Sequence, residues 1–366
     1  MKKALPIIRW IVGLLFIFSG LIKANDPLGL SYKMQEFFNA WGISSVNFLA
    51  LGLSIFMNTL EIVLGVAMIV GIRMKFFTRI IFLLTLFFAF LTGYAWLSGK
   101  FRTCGCFGDC LPLSPFDSFL KDLVLLVLIS IILKNHKKVI PHFKQSALSL
   151  VVLLLSIFVA VGLQAYTLEH LPVLDCLAYK QGNHLLEEMK IPKGAISDSF
   201  AITFKYEKAG KTVAFDANHF PADFDSSYTY VDRYEKLVRK GNATPAITDF
   251  SLQTLSGNDS TQAILQQPNM YILVLVQSFE KWKVQKEDFY KMLGYATAKG
   301  LKVFVASPQI GDAVKLFPQN ITLLRLDAVV EKTAARANPT YFLMKGDQIL
   351  EKKSYADIQS FMSEIQ

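Results

Sequence analysis

Four cysteines are the residues of this sequence whose type and spacing point most directly to chemistry. Cys104, Cys106 and Cys110 form a C-x-C-x3-C pattern, and Cys176 stands alone further along the chain. A disulfide between Cys104 and Cys106 closes a very small ring, and the resulting strain makes such a bond easier to reduce. A third thiolate nearby can attack it, so the pattern predicts a redox-active relay based on thiol–disulfide exchange.

Two other interpretations of the same cysteines stay open. One or two static disulfides among Cys104, Cys106, Cys110 and Cys176 would pin the loop and tether the later segment, and four cysteines allow three pairings. Zinc binding is the third interpretation, which we disfavour because the loop contains no histidine. Arg102, close to the first cysteine, is expected to favour a thiolate.

These cysteines belong to an unusually apolar chain of 366 residues, of which 52% are hydrophobic and only 18% charged. That composition, with a mean hydropathy of +0.37, excludes a disordered or fibrous protein. Five long apolar runs precede residue 166, and we predict that each forms a membrane-crossing helix, because about 20 apolar residues span a bilayer. The runs cover residues 4–21, 46–70, 80–96, 119–133 and 148–165.

The distribution of basic residues predicts how these helices are oriented. The N-terminus and the loops after the second and fourth runs hold nine basic residues and no acidic one: Lys2, Lys3, Arg73, Lys75, Arg79, Lys134, Lys137, Lys138 and Lys144. Basic loops stay in the cytoplasm, so we expect a cytoplasmic N-terminus and a periplasmic C-terminal half in a bacterial inner membrane. This asymmetry accounts for the net charge of +9, which therefore gives no support to a nucleic-acid partner.

Two charged residues, Arg9 and Glu61, fall inside the predicted spans. A charge in the hydrocarbon core costs roughly 2.5–3.5 kcal/mol even on the mildest scale, so each is expected to face protein and to pair with the other. One interpretation is a polar pocket for a quinone headgroup, a proton or a small substrate. The other is a structural ion pair that locks two helices together.

Residues 5–135 resemble the DoxX family and its relatives of the MauE (methylamine-utilisation) type. The resemblance is carried by Arg9, Ser19-Gly20-Leu21-Ile22-Lys23, Glu61, Gly65, Gly71, Arg79 and Cys104-Gly105-Cys106-Phe107-Gly108. It implies a four-helix membrane bundle over residues 1–135, in a family sometimes linked to quinone or to thiol–disulfide chemistry. Residues 136–166 then form a cytoplasmic loop and a fifth span.

The remaining chain has a mixed, soluble composition. Residues 167–244 are predicted to form a β-rich connecting region, in which Asp216, Asp223 and Asp225 are interpreted as solvated loop acids and no metal site is expected. Residues 245–366 alternate strands and helices, which indicates an α/β fold. They resemble the thioredoxin-like fold through Asn338-Pro339-Thr340-Tyr341-Phe342, and that resemblance implies a cis peptide bond at Pro339.

The α/β segment departs from thioredoxins at the position that matters for catalysis. Where the C-x-x-C motif should follow the first predicted strand, the sequence reads Gln277-Ser278-Phe279-Glu280, and no cysteine follows Cys176. This segment therefore cannot carry out dithiol exchange, and we interpret it as a binding or docking module, or as a remnant of an active partner.

These observations lead to one principal functional hypothesis and two rivals. The principal one is a membrane protein that passes electrons from a periplasmic thiol protein to a membrane acceptor such as quinone through Cys104, Cys106 and Cys110. The first rival is a non-enzymatic envelope scaffold with structural disulfides. The second is a transporter or small-molecule sensor built around Arg9 and Glu61.

Overall fold

The structure is a computed structural model that describes residues 4–101, 103–141, 146–197, 199–208, 210–216, 219–221, 223–239, 241, 243–282, 286–317 and 321–365. Lys2, Lys3, Arg102 and Lys144, which the sequence analysis used, lie outside the described residues. The chain divides into two compact units, one made of Met1–Gly182 with Ser251–Gln366 and one made of Asn183–Phe250.

The first part of the larger unit is helical. Its helices are α1 (Ala4–Asn25), α2 (Pro27–Ala40), α3 (Ala50–Val70), α4 (Met74–Ser98), α5 (Pro115–Lys134) and α6 (Ser146–Glu169). A short 3-10 helix, Ser44–Leu49, leads into α3. By length and composition, four described helical segments can cross a membrane: Ala4–Asn25, Ser44–Val70, Met74–Ser98 and Ala147–Glu169.

The run predicted as the fourth span, residues 119–133, forms α5, but α5 is more polar than the other long helices. It contains Asp117, Lys121 and Asp122, and it therefore falls outside the set of four. It nevertheless packs into the same bundle, where its Leu125 and Ile129 join the core formed with α1, α3 and α4.

Local sequence signals explain where several helices begin and end. Asp26 caps α2 by accepting a hydrogen bond from the backbone N–H of Gly29 at 2.9 Å, and Pro27 occupies the first turn. Ser114 caps α5 in the same way, followed again by a proline. Gly71 ends α3 with a φ of +81°, a conformation that favours glycine.

Small residues let α1 and α3 approach closely. A Cβ on Gly13 would lie 3.0 Å from the backbone oxygen of Gly65, and a Cβ on Gly65 would lie 2.6 Å from that of Gly13. Such contacts between small residues are typical of helices that pack in membranes. Helix α4 packs along α5, and α6 packs along α3.

The smaller unit contains one short helix and one sheet. Its elements are α7 (Leu185–Glu188), β1 (Ser199–Lys208), β2 (Lys211–Asp216) and β3 (Thr229–Arg239). The three strands are antiparallel in the order β2-β1-β3. β1 and β2 pair as an antiparallel hairpin within the region that the sequence predicts to be β-rich.

The last part of the larger unit is an α/β domain. Its strands are β4 (Met270–Leu275), β5 (Lys302–Ser307), β6 (Thr322–Arg325), β7 (Thr340–Lys345) and β8 (Gln348–Ser354), in the order β6-β5-β4-β7-β8. β4, β5 and β6 are parallel, whereas β7 and β8 are antiparallel to their neighbours.

In the described residues, the helices that accompany the five-stranded sheet are α8 (Thr261–Leu265), α9 (Phe279–Trp282), α10 (Lys286–Ala298), α11 (Ile310–Leu316), α12 (Ala328–Ala335) and α13 (Ile358–Ile365). An aromatic and aliphatic core fills the space between α10, α13 and the sheet, with Trp282, Phe289, Tyr341 and Phe361 almost fully buried. After their first residue, β4 and β5 consist of consecutive buried residues, because both faces of each strand are covered by protein.

Candidate functional site

The loop between α4 and α5 contains two different kinds of cysteine. Cys110 is joined to Cys176 by a disulfide with a Cα–Cα distance of 4.8 Å. Cys104 and Cys106 are free thiols, and both are half-buried. The structure therefore brings together all four cysteines that were predicted as site residues. Two of them form a disulfide and two are free thiols.

The backbone of this loop is tightly folded around glycine. Gly105 has a φ of +69°, and the N–H of Gly108 donates to its carbonyl oxygen at 3.1 Å. The segment before it is held by aromatic packing, since Phe101 stacks on Phe37 of α2 with ring centroids 4.3 Å apart. Cys104 packs against the same cluster. Helix α2, which the sequence analysis did not predict, thus forms one wall of the cysteine site.

A buried ion pair lies beneath the loop. Lys23 at the end of α1 pairs with Glu61 of α3, and their side chains are 4% and 1% exposed. The hydroxyl of Ser19 lies 2.9 Å from Glu61 Oε2 and 3.0 Å from the backbone oxygen of Cys106. Ser19 therefore connects the intramembrane carboxylate directly to the cysteine loop.

A second, partly buried ion pair reaches the same region from α5. Lys121 Nζ donates to Asp122 Oδ1 at 2.6 Å, and the Thr92 hydroxyl lies 3.1 Å from Asp122 Oδ2. Lys121 Nζ also lies 5.4 Å from the ring centroid of Phe107, inside the cysteine loop. Two of the charges that make α5 more polar than the other long helices, Lys121 and Asp122, thus pair with each other next to the thiols.

The predicted pairing of Arg9 with Glu61 is wrong. Arg9 Nη1 donates to the backbone oxygen of Ile140 at 3.0 Å, whereas Glu61 takes Lys23 as its partner. Helix geometry explains the difference, because the 14 residues from Arg9 to Lys23 separate them by about 21 Å along α1. The i, i+4 spacing of Ser19 and Lys23, which puts both on one face of α1, is the signal that could have identified the partner.

A cavity of about 220 Å³ opens beside the free cysteines. Its walls are mostly aromatic and aliphatic side chains, with polar groups from the cysteine loop and the two ion pairs. The apolar lining includes Phe37, Phe38, Trp41, Leu53, Met57, Phe87, Phe88 and Leu91, and the polar lining includes Ser19, Lys23, Glu61, Lys121, Cys104 and Cys106. Such a cavity suits a flat, largely apolar molecule with polar groups directed at the cysteines.

Burial controls the ionisation of the two thiols. It raises the pKa of Cys104 to about 12, with the charges of Cys106 and Asp122 adding to the effect. Burial also raises the pKa of Cys106, opposed by the positive charge of Lys121. Both residues are therefore protonated thiols at neutral pH, whereas Arg102, expected to favour a thiolate, lies outside the described residues.

The α/β domain contacts the bundle through two buried cations that flank the disulfide. Arg336 Nη2 lies 2.6 Å from Asp109 Oδ2, and its Nε lies 2.8 Å from Asp26 Oδ2. Lys352 Nζ lies 2.7 Å from Asp175 Oδ2. Asp109 directly precedes Cys110, and Asp175 directly precedes Cys176. The α/β domain thus forms an ion pair with the residue that precedes each cysteine of the disulfide.

Asn338, just before β7, is hydrogen-bonded to the segment that follows β4. The backbone N–H groups of Gln277 and Ser278 donate to Asn338 Oδ1 at 2.8 and 3.2 Å, and Asn338 Nδ2 donates to the oxygen of Ser278 at 2.8 Å. The peptide bond between Asn338 and Pro339 is cis.

The three loop aspartates of the smaller unit have separate partners. Asp223 pairs with Lys208 at 2.5 Å, Asp216 pairs with His219 at 2.8 Å, and Asp225 accepts from the backbone N–H of Ser227 at 2.9 Å. Across the described ranges, no group of three His, Cys, Asp or Glu residues is arranged to hold a metal ion.

Long apolar helices around a cysteine loop define a helical membrane protein. Comparison with protein families makes this class more specific, because the family model of methylamine utilisation protein MauE matches residues 1–134. The match contains α1 to α5, the cysteine loop and the Lys23–Glu61 and Lys121–Asp122 pairs, so this part of the protein is MauE-like. A family model for a domain of unknown function (DUF8463) matches residues 200–240. No curated protein matches the chain.

Proposed function

We propose that this protein is a thiol–disulfide oxidoreductase of the bacterial inner membrane that passes electrons from periplasmic thiols to quinone. One observation carries the proposal: the free thiols of Cys104 and Cys106 line the same cavity as the buried Lys23–Glu61 pair. A structural role needs neither a second, reduced pair of cysteines nor a cavity beside them.

The proposed reaction balances as two exchanges and one two-electron transfer. A dithiol of a periplasmic protein reduces the Cys110–Cys176 disulfide and is itself oxidised to a disulfide. The new Cys110 and Cys176 thiols then reduce a Cys104–Cys106 disulfide, which re-forms their own bond. Finally the Cys104 and Cys106 thiols give two electrons and two protons to quinone, which yields quinol and the Cys104–Cys106 disulfide.

The environment of the thiols supports this order of steps. Since their pKa values are raised by burial, Cys104 and Cys106 keep their protons until an acceptor is present. A nearby base must take the first proton, because the thiolate is the reactive form. Glu61, joined to the cysteine loop through Ser19, is the group we assign to this step.

The lining of the cavity supports quinone as the acceptor. A quinone ring is flat and apolar, with two carbonyl oxygens that accept hydrogen bonds and become hydroxyl groups when the ring is reduced. Phe37, Phe88 and Trp41 provide apolar surface for the ring, and Lys23 and Lys121 provide positive charge for a developing negative oxygen.

Charge distribution and the disulfide support a location in the inner membrane. The basic loops indicate a cytoplasmic N-terminus. Disulfides persist in oxidising compartments such as the periplasm, which favours a periplasmic position for Cys110 and Cys176. We infer that α5 is a further span, since its intramembrane charges Lys121 and Asp122 neutralise each other.

We further propose that the α/β domain is thioredoxin-like and acts as a docking module. Its central parallel strands followed by an antiparallel hairpin, with a cis proline before β7, support that fold. Without cysteines it transfers no electrons, but Arg336 and Lys352 attach it to the disulfide-bearing segments.

The proposal is tested with the purified full-length protein, a soluble quinone analogue and dithiothreitol as the reductant. We expect Cys104→Ser and Cys106→Ser each to lower quinone reduction at least 100-fold. Cys110→Ser and Cys176→Ser should instead block reduction by a dithiol protein such as a reduced thioredoxin, and leave reduction by dithiothreitol largely intact. Full activity of both Cys104→Ser and Cys106→Ser would exclude the proposed route.

The rival hypothesis is an envelope scaffold whose disulfide is static. The Cys110–Cys176 bond, with a charged partner beside each cysteine, favours that alternative. A count of free thiols by mass spectrometry separates the two hypotheses. A relay exchanges its bonded pair when cells are shifted between reducing and oxidising conditions, whereas a scaffold keeps Cys110–Cys176 bonded and Cys104 and Cys106 free throughout.

A further inference from the structure

Arg9 lies at the end of the bundle opposite the cysteines, and its charge has no ion-pair partner among the residues that the structure describes. The side chain is 7% exposed, and its only described hydrogen bond is the one from Nη1 to the oxygen of Ile140. Its Nε is buried without a hydrogen-bond partner among the described residues. In the described part of the chain, no ion pair includes Arg9.

The acidic residues of the helical part have other partners than Arg9. Six of them precede position 169: Asp26, Glu36, Glu61, Asp109, Asp117 and Asp122. In the described structure Asp117 accepts from the Ser114 hydroxyl, and the other five pair with other basic residues. Buried arginines in apolar spans pair with carboxylates or with backbone carbonyls. Arg9 has one carbonyl partner, and its guanidinium keeps further donors, Nε among them, that an anion from outside the chain can use.

A cavity of about 660 Å³ lies beside Arg9, between the start of α1 and the end of α5. Its polar lining is provided by Arg9, Asn135 and Lys138, and its walls are otherwise apolar, with Leu5 and Ile8 among them. Lys138 Nζ donates to Asn135 Oδ1 at 2.9 Å, which holds this second positive charge beside the cavity.

We infer that this cavity binds the phosphate group of an anionic phospholipid, with Arg9 as its principal ligand. Guanidinium groups bind phosphate oxygens in a two-pronged geometry, and basic pockets between helices on the cytoplasmic side suit lipid headgroups. Leu5 and Ile8 of α1 and Ile131 of α5 line the same cavity, and we place the start of an acyl chain against them. This site is separate from the thiols and does not depend on the proposed electron transfer.

Native mass spectrometry of the full-length protein tests this inference. Delipidated protein is titrated with phosphatidylglycerol, with zwitterionic phosphatidylcholine and with inorganic phosphate. We expect one tightly bound phosphatidylglycerol, and at least tenfold weaker binding of that lipid by Arg9→Gln. Lys134→Gln is the matched control, since Lys134 has the same charge and lies on α5 but is exposed and outside the cavity.

The possible results separate the sources of the phosphate. Loss of phosphatidylglycerol binding confined to Arg9→Gln supports the lipid site. Displacement of the lipid by millimolar inorganic phosphate would instead assign the site to a soluble phosphate and overturn the lipid assignment. Equal weakening by Arg9→Gln and Lys134→Gln, or none by either, would overturn the site altogether.

A second variant covers the case in which Arg9→Gln fails to fold. Arg9→Lys keeps the positive charge but loses the two-pronged geometry, so lipid binding should weaken by a smaller factor than in Arg9→Gln. On the wild-type protein, phosphatidylglycerol should also raise the melting temperature more than phosphatidylcholine does. Equal shifts with the two lipids, together with unchanged lipid binding by Arg9→Lys, would contradict the inference.

Discussion

At the scale of single residues, the contribution of the buried Lys23–Glu61 pair to stability can be measured separately from the proposed role of Glu61 as a base. Removing one partner leaves an uncompensated buried charge, which typically costs about 3–5 kcal/mol. We therefore expect Glu61→Gln to lower the free energy of unfolding by about that amount, measured by equilibrium unfolding in mixed detergent micelles. Replacing both residues, as in Lys23→Met with Glu61→Leu, should restore much of the stability because no charge is then buried.

The exposed pair of Lys33 with Glu36 provides a matched control for this prediction. Its nitrogen and oxygen are 2.9 Å apart, but Glu36 is 48% exposed. Exposed pairs contribute about 0–1 kcal/mol, so Glu36→Gln should change stability little. If the stable double variant at Lys23 and Glu61 still reduces quinone at the wild-type rate, the pair is structural and Glu61 is not the base that we assign.

The raised pKa of Cys104 predicts an unusual pH dependence of its reactivity. Only the thiolate is alkylated, and a pKa of about 12 leaves a very small thiolate fraction at neutral pH. The rate of alkylation by iodoacetamide should therefore rise about tenfold per pH unit from pH 7 upwards, without levelling off by pH 9. Peptide mass spectrometry of the reduced protein gives the rate for Cys104 separately.

A free cysteine in a model peptide is the reference for this measurement. Its pKa lies near 8.5, so its alkylation rate begins to level off as the pH passes that value. If Cys104 levels off at the same pH as the peptide, the thiol is not shielded from water by α2 and the loop as the structure indicates.

At the scale of secondary structure, the long apolar runs and the alternating α/β order could be predicted because they depend on local periodicity. Helix α2 could not, since it is amphipathic and is defined by its packing of Phe37 on Phe101. The partner of Glu61 was missed for a related reason. Pairing depends on how two helices align, and the sequence of α1 offers both Arg9 and Lys23.

The contacts of the α/β domain predict that it stabilises the Cys110–Cys176 disulfide. Arg336 and Lys352 hold the residues that precede the two cysteines, so the thiols should stay close after reduction and re-form their bond readily. Arg336→Gln or Lys352→Met should lower this effective concentration about tenfold. The disulfide would then be reduced at correspondingly lower ratios of reduced to oxidised dithiothreitol, measured by trapping with a maleimide.

Lys353→Gln is the matched control, because Lys353 is adjacent on β8 but pairs with Glu351 at 2.8 Å instead of with the bundle. Adding Asp175→Asn to Lys352→Met should have little further effect, because both changes remove the same pair. The contrary result is a reduction equilibrium of the disulfide with dithiothreitol that is the same in wild type, Arg336→Gln and Lys352→Met. That result would show that docking does not influence the cysteines.

At the scale of the whole molecule, the arrangement of charges links topology to function. At the end of the bundle that holds the N-terminus, Arg9 takes part in no described ion pair, whereas Lys23 and Lys121, at the end that holds the cysteines, pair with Glu61 and Asp122. The soluble domain has no cysteine, yet it is attached to the cysteine end by ion pairs. The proposed electron transfer and the proposed docking thus belong to different parts of one chain.

Helix α5 is the least apolar of the long helices, and the membrane topology depends on it. If α5 crosses the membrane, the cysteine loop and the segment after α5 lie on opposite sides. We expect α5 to cross, since its core residues pack with the other spans and Lys121 neutralises Asp122. In a cysteine-free variant, single cysteines at the exposed positions Lys100 and Lys137 should then differ in intact cells. A membrane-impermeant maleimide should label the first and not the second. Labelling of both positions would place both loops outside and leave α5 as a helix that does not span.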